Sequence, residues 1–176
     1  MNAQHRQVNN IEFPHSLNLE VEKYKDPQEA ALKVTWAALD KGIDIYHAAV
    51  AGLAVSTGCK WISISRMLVS NRRVELKAMW EDEKFTDCFE YDLTDTPCDV
   101  VVQSEGSVMF EKVAEKFPQD AYLQDLGVED YIGLSFKDHD GNLAGHICVM
   151  DNEPFEKLEQ IEKTLGVVSA AVALEM

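Results

Sequence analysis

The sequence predicts an α+β domain with a central antiparallel sheet of five or six strands and long helices before and after it. Three observations support this class. Apolar residues recur at spacings of three and four up to residue 57, alternate with polar residues in stretches between 60 and 150, and return to a helical period over 154–175. We therefore expect a layer of helices on one sheet face and irregular structure between the middle strands.

Length and composition fit a single domain. The chain has 176 residues, of which 46% are apolar, enough for one core of ordinary size. We expect residues 26–176 to form the domain and residues 1–25, which show no sustained period, to form an N-terminal arm. There is no apolar run of about 18 residues and no basic-then-apolar leader, which favours a cytoplasmic protein with no membrane partner.

The charge balance restricts the partners. With 31 acidic and 16 basic residues the formal net charge is -15, so the chain repels a phosphate backbone. The basic pair Arg72-Arg73 is interpreted as part of a hairpin tip. We expect no nucleic-acid partner.

Two helices are predicted before the sheet. Asp26 stands before Pro27, an N-cap followed by a proline at the first helical position, which predicts a helix over 27–41. A second helix is predicted within 43–57, because apolar residues at spacings of three and four share one face: Tyr46, Ala49, Val50, Leu53 and Ala54. A glycine follows each helix and ends it: Gly42 and Gly58.

The first strands follow from alternation. We predict a strand that places Val74, Leu76, Ala78 and Trp80 on one face and Arg73, Glu75, Lys77 and Met79 on the other. Residues 60–69 are its expected partner, joined to it by a turn around Ser70-Asn71. A third strand is predicted from Phe85 to Tyr91.

The middle of the chain, 92–128, is irregular. It is expected to contain two short helices with a short strand between them, near 97–104, 118–126 and 107–113. Two further strands are predicted at 130–137 and 142–150, on either side of an Asp140-Gly141 turn.

The chain closes with a predicted helix over 154–175. Five apolar residues are spaced 3, 4, 3 and 4 along it and form an a/d seam: Leu158, Ile161, Leu165, Val168 and Val172. The seam covers about two and a half heptads, fewer than a secure coiled coil requires. It can serve a partner helix or the back of the sheet, and both interpretations stay open.

Several motifs together resemble the GAF domain, over roughly residues 43–175. They are Tyr-Asp-Leu-Thr-Asp-Thr-Pro-Cys at 91–98, Phe-Pro-Gln-Asp at 117–120, Gly-Val-Glu-Asp-Tyr-Ile-Gly at 127–133, the Asp138–Asn142 turn and Gly-His-Ile at 145–147. GAF domains are sensor modules of bacterial histidine kinases, diguanylate cyclases and transcription activators. The resemblance implies a PAS-like fold with terminal helices on one sheet face and a pocket roofed by the middle segment on the other.

The resemblance also implies a function in signal transduction, for example in a two-component system. The expected activity is binding of a small molecule, without catalysis, that regulates a kinase, cyclase or other output domain through rearrangement of a homodimer held by its terminal helices. One alternative is a dimerisation module with a vestigial pocket. Another is an enzyme similar to free methionine-R-sulfoxide reductase, with Cys98 as nucleophile and Cys88 as resolving partner, although its Gly-Val-Cys pattern is missing here.

Cys98 is the clearest candidate for a reactive cysteine. The Thr96-Pro97 pair marks a change from extended chain to helix and places Cys98 in the first helical turn. Backbone N–H groups there favour a thiolate. The alternative is a small buried side chain in the pocket wall.

The expected ligand-binding residues combine aromatic rings with a few polar groups, as small-molecule pockets do. Hydroxyl groups of Tyr91, Thr96 and Tyr131 are expected to orient a polar ligand. The full set is Trp80, Tyr91, Thr96, Pro97, Cys98, Phe117, Tyr131 and His146.

The cofactor, if any, is not identified by the sequence. Cyclic GMP is not expected, because the Asn-Lys, Phe and Asp-Glu pattern of its binders is missing. A bilin is not expected either, because bilin-binding members usually carry their attachment cysteine directly before a histidine and this chain has no Cys-His pair. The four cysteines have no Cys-x-x-Cys spacing and are expected to be reduced. No histidine pair has the spacing of a metal site on one element, so no metal is expected, although an iron site assembled from distant Asp, His and Cys residues stays open.

Overall fold

A computed structural model describes residues 26–69 and 72–176 of the chain. The predicted arm at 1–25 and the Ser70-Asn71 turn lie outside the described residues. The helices are α1 Pro27–Asp40, α2 Ile45–Thr57, α3 Pro97–Val102, α4 Val113–Lys116, α5 Ala121–Leu126 and α6 Leu158–Leu174. The strands are β1 Trp61–Met67, β2 Arg73–Glu81, β3 Lys84–Phe85, β4 Glu90–Asp92, β5 Val108–Phe110, β6 Asp130–Lys137 and β7 Leu143–Asp151.

The seven strands form one antiparallel sheet in the order β3-β2-β1-β7-β6-β5, with β4 also paired to β2. The predicted α+β class is confirmed. The count exceeds the predicted five or six because the single strand expected from Phe85 to Tyr91 is two short pieces, β3 and β4. Neither of these pieces is longer than three residues.

The sheet separates two apolar cores. On one face α2 and α6 pack over Ile62, Ile64, Ile147 and Val149 of the central strands, and α1 packs against α2 and α6. On the other face the segment from β4 to β6 forms a roof that packs over residues such as Leu76, Met79 and Tyr131. Within the described residues no helix is long and apolar enough to cross a membrane.

Side-chain caps fix the starts of α1 and α2. The Asp26 carboxylate accepts a hydrogen bond from the Gln28 N–H, and the Asp44 carboxylate accepts from the N–H groups of Tyr46 and His47. The predicted end of α2 is also confirmed, because Gly58 adopts a left-handed conformation at φ 68°.

The α6 seam packs on the sheet of its own chain. Ile161, Leu165, Val168 and Val172 are all buried in the core that contains Ile62 and Val149. The structure therefore favours the back-of-sheet interpretation of the seam over the partner-helix one. The helix begins at Leu158 and not at 154, because residues 152–157 form a loop that is held where the Phe155 N–H donates to the Asp130 carboxylate.

The predicted faces of β2 are wrong beyond its first half. Ile64 pairs with Ala78 and Ser65 pairs with Leu76, so Lys77 is an extra residue in a β-bulge. The bulge reverses the alternation. Val74, Leu76 and Met79 enter the roof-side core, whereas Ala78 and Trp80 enter the helix-side core.

The roof contains more structure than predicted. Helix α3 ends at Val102 and not near 104, β5 is only three residues long, and α4 was not expected. The sequence does not indicate the start of helix α4, because its N-cap residue, Lys112, makes no side-chain capping hydrogen bond. Lys112 also adopts a left-handed conformation at φ 52°. The Asp140-Gly141 turn is confirmed, with the Gly141 N–H donating to the Asp138 carbonyl.

Replacing Leu165 with alanine should lower the free energy of unfolding by about 2–5 kcal/mol, because its side chain is fully buried between α6 and the sheet. Leu174→Ala on the same helix is the matched control, since Leu174 is 82% exposed, and should change stability by less than about 0.5 kcal/mol. Urea unfolding followed by circular dichroism measures both. Equal effects of the two changes would contradict the placement of the seam.

Candidate functional site

A cavity of about 300 Å³ lies between the sheet and the roof. Its sheet side is formed by β1, β2, β6 and β7, and its roof side by β4, the turn before α3, and α5. The volume is at the lower end of the range for small-molecule sites. The lining residues used below are Ser63, Leu76, Met79, Phe89, Tyr91, Thr96, Pro97, Cys98, Tyr122, Tyr131, Cys148 and Met150.

The start of α3 holds one wall of the cavity in place. The Thr96 hydroxyl donates to the Leu93 carbonyl at 2.6 Å and accepts from the Asp99 N–H at 3.4 Å, which caps the helix. Pro97 occupies the first helical turn, as predicted. An ion pair between Arg72 and Asp99 ties the helix to the end of the β1–β2 hairpin.

Gly133 of β6 lets the roof approach the sheet. A Cβ atom at this position would lie 2.6 Å from the Val101 side chain of α3 and 2.9 Å from the Tyr131 hydroxyl. Both contacts are shorter than real Cβ contacts. The glycine therefore allows the Tyr131 side chain to lie along its own strand and reach Cys98.

Polar groups converge at the floor of the cavity. The Cys98 Sγ lies 3.3 Å from the Tyr131 hydroxyl, and the Tyr91 hydroxyl lies 3.8 Å from the same sulfur and 3.4 Å from His146 Nε2. The Cys148 Sγ is 2.8 Å from the Ser63 hydroxyl. One ligand-type atom each from Cys98, His146 and Cys148 lies within 4.8 Å of the other two.

The two thiols at the floor have opposite tendencies to ionise. The hydrogen bond with Cys148 lowers the pKa of Cys98 well below its ordinary value against the effect of burial, and His146 and Tyr131 act in the same direction. The hydrogen bond with Cys98, together with burial, raises the pKa of Cys148 well above its ordinary value. Burial raises the pKa of Tyr91 and Tyr131. These contacts favour Cys98 over Cys148 as the thiol that ionises first.

Five of the eight predicted ligand-binding residues line this cavity: Tyr91, Thr96, Pro97, Cys98 and Tyr131. His146 is fully buried beneath it and bonds to Tyr91. Trp80 is a wrong assignment, because the bulge at Lys77 turns it to the helix side, where its ring packs edge-on against Phe85 at 5.2 Å. Phe117 does not line the cavity either and packs against Phe110 at 5.0 Å.

Sequence reasoning missed several lining residues, chiefly Ser63, Leu76, Met79, Cys148 and Met150. Strand alternation carried a signal for one of them, since Cys148 is two residues from His146 on β7 and therefore shares its face. The expectation that no metal site exists rested on spacing within single elements. The structure brings Cys98 to the His146–Cys148 pair from a different element.

Two other depressions lie on the helix side of the sheet. One, of about 360 Å³, is bounded by the end of α2 and the start of α6, and another, of about 620 Å³, lies beside Trp80. Neither contains the convergent buried hydroxyl, thiol and imidazole groups found beneath the roof. The roofed cavity is therefore the candidate functional site.

Comparison with protein-family models and with curated protein sequences gives no match. Solved structures do match. Free methionine-R-sulfoxide reductase from Neisseria meningitidis, in complex with its substrate, has a TM-score of 0.66 at 13% identity and covers 86% of this chain and 91% of its own. The nlh2 GAF domain of A. aeolicus in an inactive state gives 0.63 at 12% identity, covering 84% and 93%.

The phycocyanobilin-bound GAF domain from a cyanobacterial phytochrome gives a TM-score of 0.60 at 14% identity, covering 84% of this chain and 94% of that one. At such identities the likeness concerns the fold. The fold expected from the sequence motifs is confirmed: this chain has the GAF fold.

We expect Cys98 to react with a small alkylating reagent at neutral pH at least about tenfold faster than Cys59. The two residues are nearly equally buried, at 8% and 6% exposed, but burial raises the pKa of Cys59 to about 11 whereas that of Cys98 is lowered. Brief labelling in a chelating buffer, followed by peptide mass spectrometry, measures the ratio. Equal rates would show that burial alone controls both thiols.

Proposed function

We propose that this chain is a sensory domain that binds a small molecule in the cavity between the sheet and the roof. The observation that carries the proposal is the cavity itself: apolar side chains surround it, and hydroxyl, thiol and imidazole groups converge at its floor. That combination of an apolar wall and a few placed polar groups is typical of ligand sites. Catalysis is not required for this function.

The lining favours a neutral or cationic ligand with an apolar body. No lysine or arginine is present among the described residues that line the cavity, whereas Asp92 and Asp120 are. An anionic ligand would therefore find no basic partner and would meet a net charge of -15 on the whole chain. The Tyr91 and Tyr131 hydroxyls are placed to bond a polar atom of the ligand.

Two aromatic residues at the opening are candidates for a lip that closes on the ligand. Phe89 and Tyr122 are 49% and 38% exposed, and their ring centroids are 6.4 Å apart. The Tyr122 hydroxyl donates to the Glu81 carboxylate at 3.0 Å, which links α5 to the end of β2. Short elements such as α5 open at a lower free-energy cost than long packed helices.

The signal would pass from the roof to the terminal helices through the sheet. A ligand that binds one arrangement of the roof more tightly shifts the equilibrium by its difference in affinity between the states. Strand β7 carries His146 and Cys148 on the cavity side and Ile147 and Val149 against the helices. It is therefore the shortest route from ligand to helix layer.

We propose that a homodimer and an output domain, such as a kinase or cyclase, receive this signal. The dimer cannot use the buried a/d seam of α6, so its contacts would come from the outer faces of α1 and α6. Trp36 of α1 and Leu174 of α6 are 42% and 82% exposed and are large apolar side chains available there. Regulation through the dimer rests on this outer surface.

Two rival functions make different demands on the same cavity. A dimerisation module with a vestigial pocket would bind no ligand. An enzyme similar to free methionine-R-sulfoxide reductase would need Cys88 as resolving partner, but Cys88 is exposed and Cys98 is buried beside Cys148. The geometry gives no support to the pairing of Cys98 with Cys88.

Native mass spectrometry of freshly purified protein tests for a bound molecule. A small-metabolite thermal-shift screen then tests reversible binding, because a ligand at about 100 times its Kd adds about 2.7 kcal/mol of stability. Ala121→Phe, at the cavity wall, should abolish the shift, and Ala170→Phe, on the outer face of α6, should retain it. If no metabolite shifts the wild type, or if both variants keep the shift, the cavity is not the ligand site.

Hydrogen exchange gives an independent measurement once a ligand is found. We expect exchange across 92–128 to slow on binding, because the roof closes over the ligand, while exchange in α6 changes less. A slowing confined to α1 and α6 would place the ligand on the helix side and contradict the proposal.

A further inference from the structure

We propose that Cys98, His146 and Cys148 form a three-ligand site for a borderline or soft metal ion of the Zn²⁺ class, with its fourth position open to the cavity. Two separate elements build the site. Strand β7 places His146 and Cys148 on the same face, two residues apart, and helix α3 brings Cys98 down onto them. All three residues are buried.

The spacing of the donor atoms fits a metal ion. One donor atom from each residue lies within 4.8 Å of the others. Zinc bonds of about 2.3 Å to sulfur and about 2.0 Å to nitrogen place tetrahedral ligand atoms roughly 3.5–3.8 Å apart. The donor atoms therefore need to approach one another by at most roughly 1.0–1.3 Å to reach this geometry.

The chemistry of the donors selects the metal class. Two thiolates and an imidazole prefer Zn²⁺ and similar ions over Mg²⁺ and Ca²⁺, which prefer oxygen ligands. Two thiolates and one Zn²⁺ sum to zero charge, so the complex can be buried without an uncompensated ion. No lysine or arginine lines the cavity, within the described part of the chain, to compensate the thiolates in another way.

The Nδ1 atom of the His146 ring is available to bind a metal ion. The residue is fully buried, yet its Nδ1 atom has no hydrogen-bond partner among the described residues, and its Nε2 atom lies 3.4 Å from the Tyr91 hydroxyl. An orphaned ring nitrogen inside a protein is costly unless something occupies it. Coordination of one nitrogen, with the other held by Tyr91, removes that cost.

A hydroxyl group lies beside each of the two sulfur atoms, as the hydrogen-bond partners of metal ligands do. The Ser63 hydroxyl is 2.8 Å from the Cys148 Sγ, and the Tyr131 hydroxyl is 3.3 Å from the Cys98 Sγ. Such hydrogen bonds orient thiolate ligands and stabilise their charge. The floor of the cavity thus supplies both the ligands and their supports.

The site has three protein ligands and not four, which is the pattern of metal sites that keep a position for an exchangeable group. Cys98 and Cys148 both line the cavity, so the open position faces it. Coordination displaces to the buffer any proton that the thiols still carry, and water or a donor atom of a cavity ligand completes the coordination. The site does not depend on whether the cavity also binds an organic ligand.

Co²⁺ is the probe for the test, added to the full chain after reduction and removal of metals with a chelator. We expect one equivalent to bind, with thiolate-to-cobalt charge-transfer absorption, and Zn²⁺ to displace it. Cys98→Ser, Cys148→Ser and His146→Gln should each weaken binding about a hundredfold or more. Cys59→Ser and Cys88→Ser are the matched controls and should bind like the wild type.

Ser63→Ala keeps all three ligands and should weaken Co²⁺ binding by about tenfold, which keeps the proposal testable if a ligand variant fails to fold. Circular dichroism establishes which variants are folded. A folded, reduced wild type that binds no Co²⁺ would overturn the proposal. So would undiminished binding by Cys98→Ser or Cys148→Ser, or a Cys98–Cys148 disulfide that persists under the reducing conditions used.

Discussion

The rest of the structure depends on two adjacent central strands, each of which buries apolar side chains on one face and polar side chains on the other. Strands β1 and β7 pair through the centre of the sheet, and their helix-side residues are Ile62, Ile64, Ile147 and Val149. Their cavity-side residues include Ser63, Ser65, His146 and Cys148, which are buried but polar. Burial of these groups is tolerable only because they bond to one another and to the roof. The roof is therefore needed for stability as well as for ligand binding.

This arrangement gives the two cores different properties. The helix-side core is formed mainly by apolar side chains, and buried hydroxyls in the helix layer, such as those of Thr35 and Thr164, bond to backbone carbonyls of their own helices, so this side behaves as a rigid support. The roof-side core mixes thiols, hydroxyls and an imidazole with apolar walls around an open volume. A domain of this kind can change its roof while the helix layer keeps the sheet intact.

Local features of the fold were readable from the sequence, and long-range ones were not. Asp26, Gly58 and the Asp140-Gly141 turn act through neighbouring backbone groups, so short motifs identify them. The bulge at Lys77 arises from how β2 pairs with β1, and nothing in the β2 sequence reveals the extra residue. Trp80 was therefore assigned to the wrong face.

The candidate site was predictable only in part for the same reason. Tyr91, Thr96 and Cys98 belong to one short motif and were found together. Cys148 joins Cys98 across 50 residues, and only the packing of α3 on β7 brings the two sulfur atoms close. Phe117 belongs to a conspicuous motif, but the path of α4 directs it toward Phe110.

The depth of the cavity depends on the absence of a Cβ atom at Gly133. Its lack of a side chain sets how closely Val101 and α3 approach β6, and so it fixes the height of the roof above the floor. A larger residue there would act as a spacer that moves Val101 and α3 away from the sheet and also displaces the Tyr131 side chain. Proteins of this fold can therefore evolve a preference for larger or smaller ligands through a position that the ligand never touches.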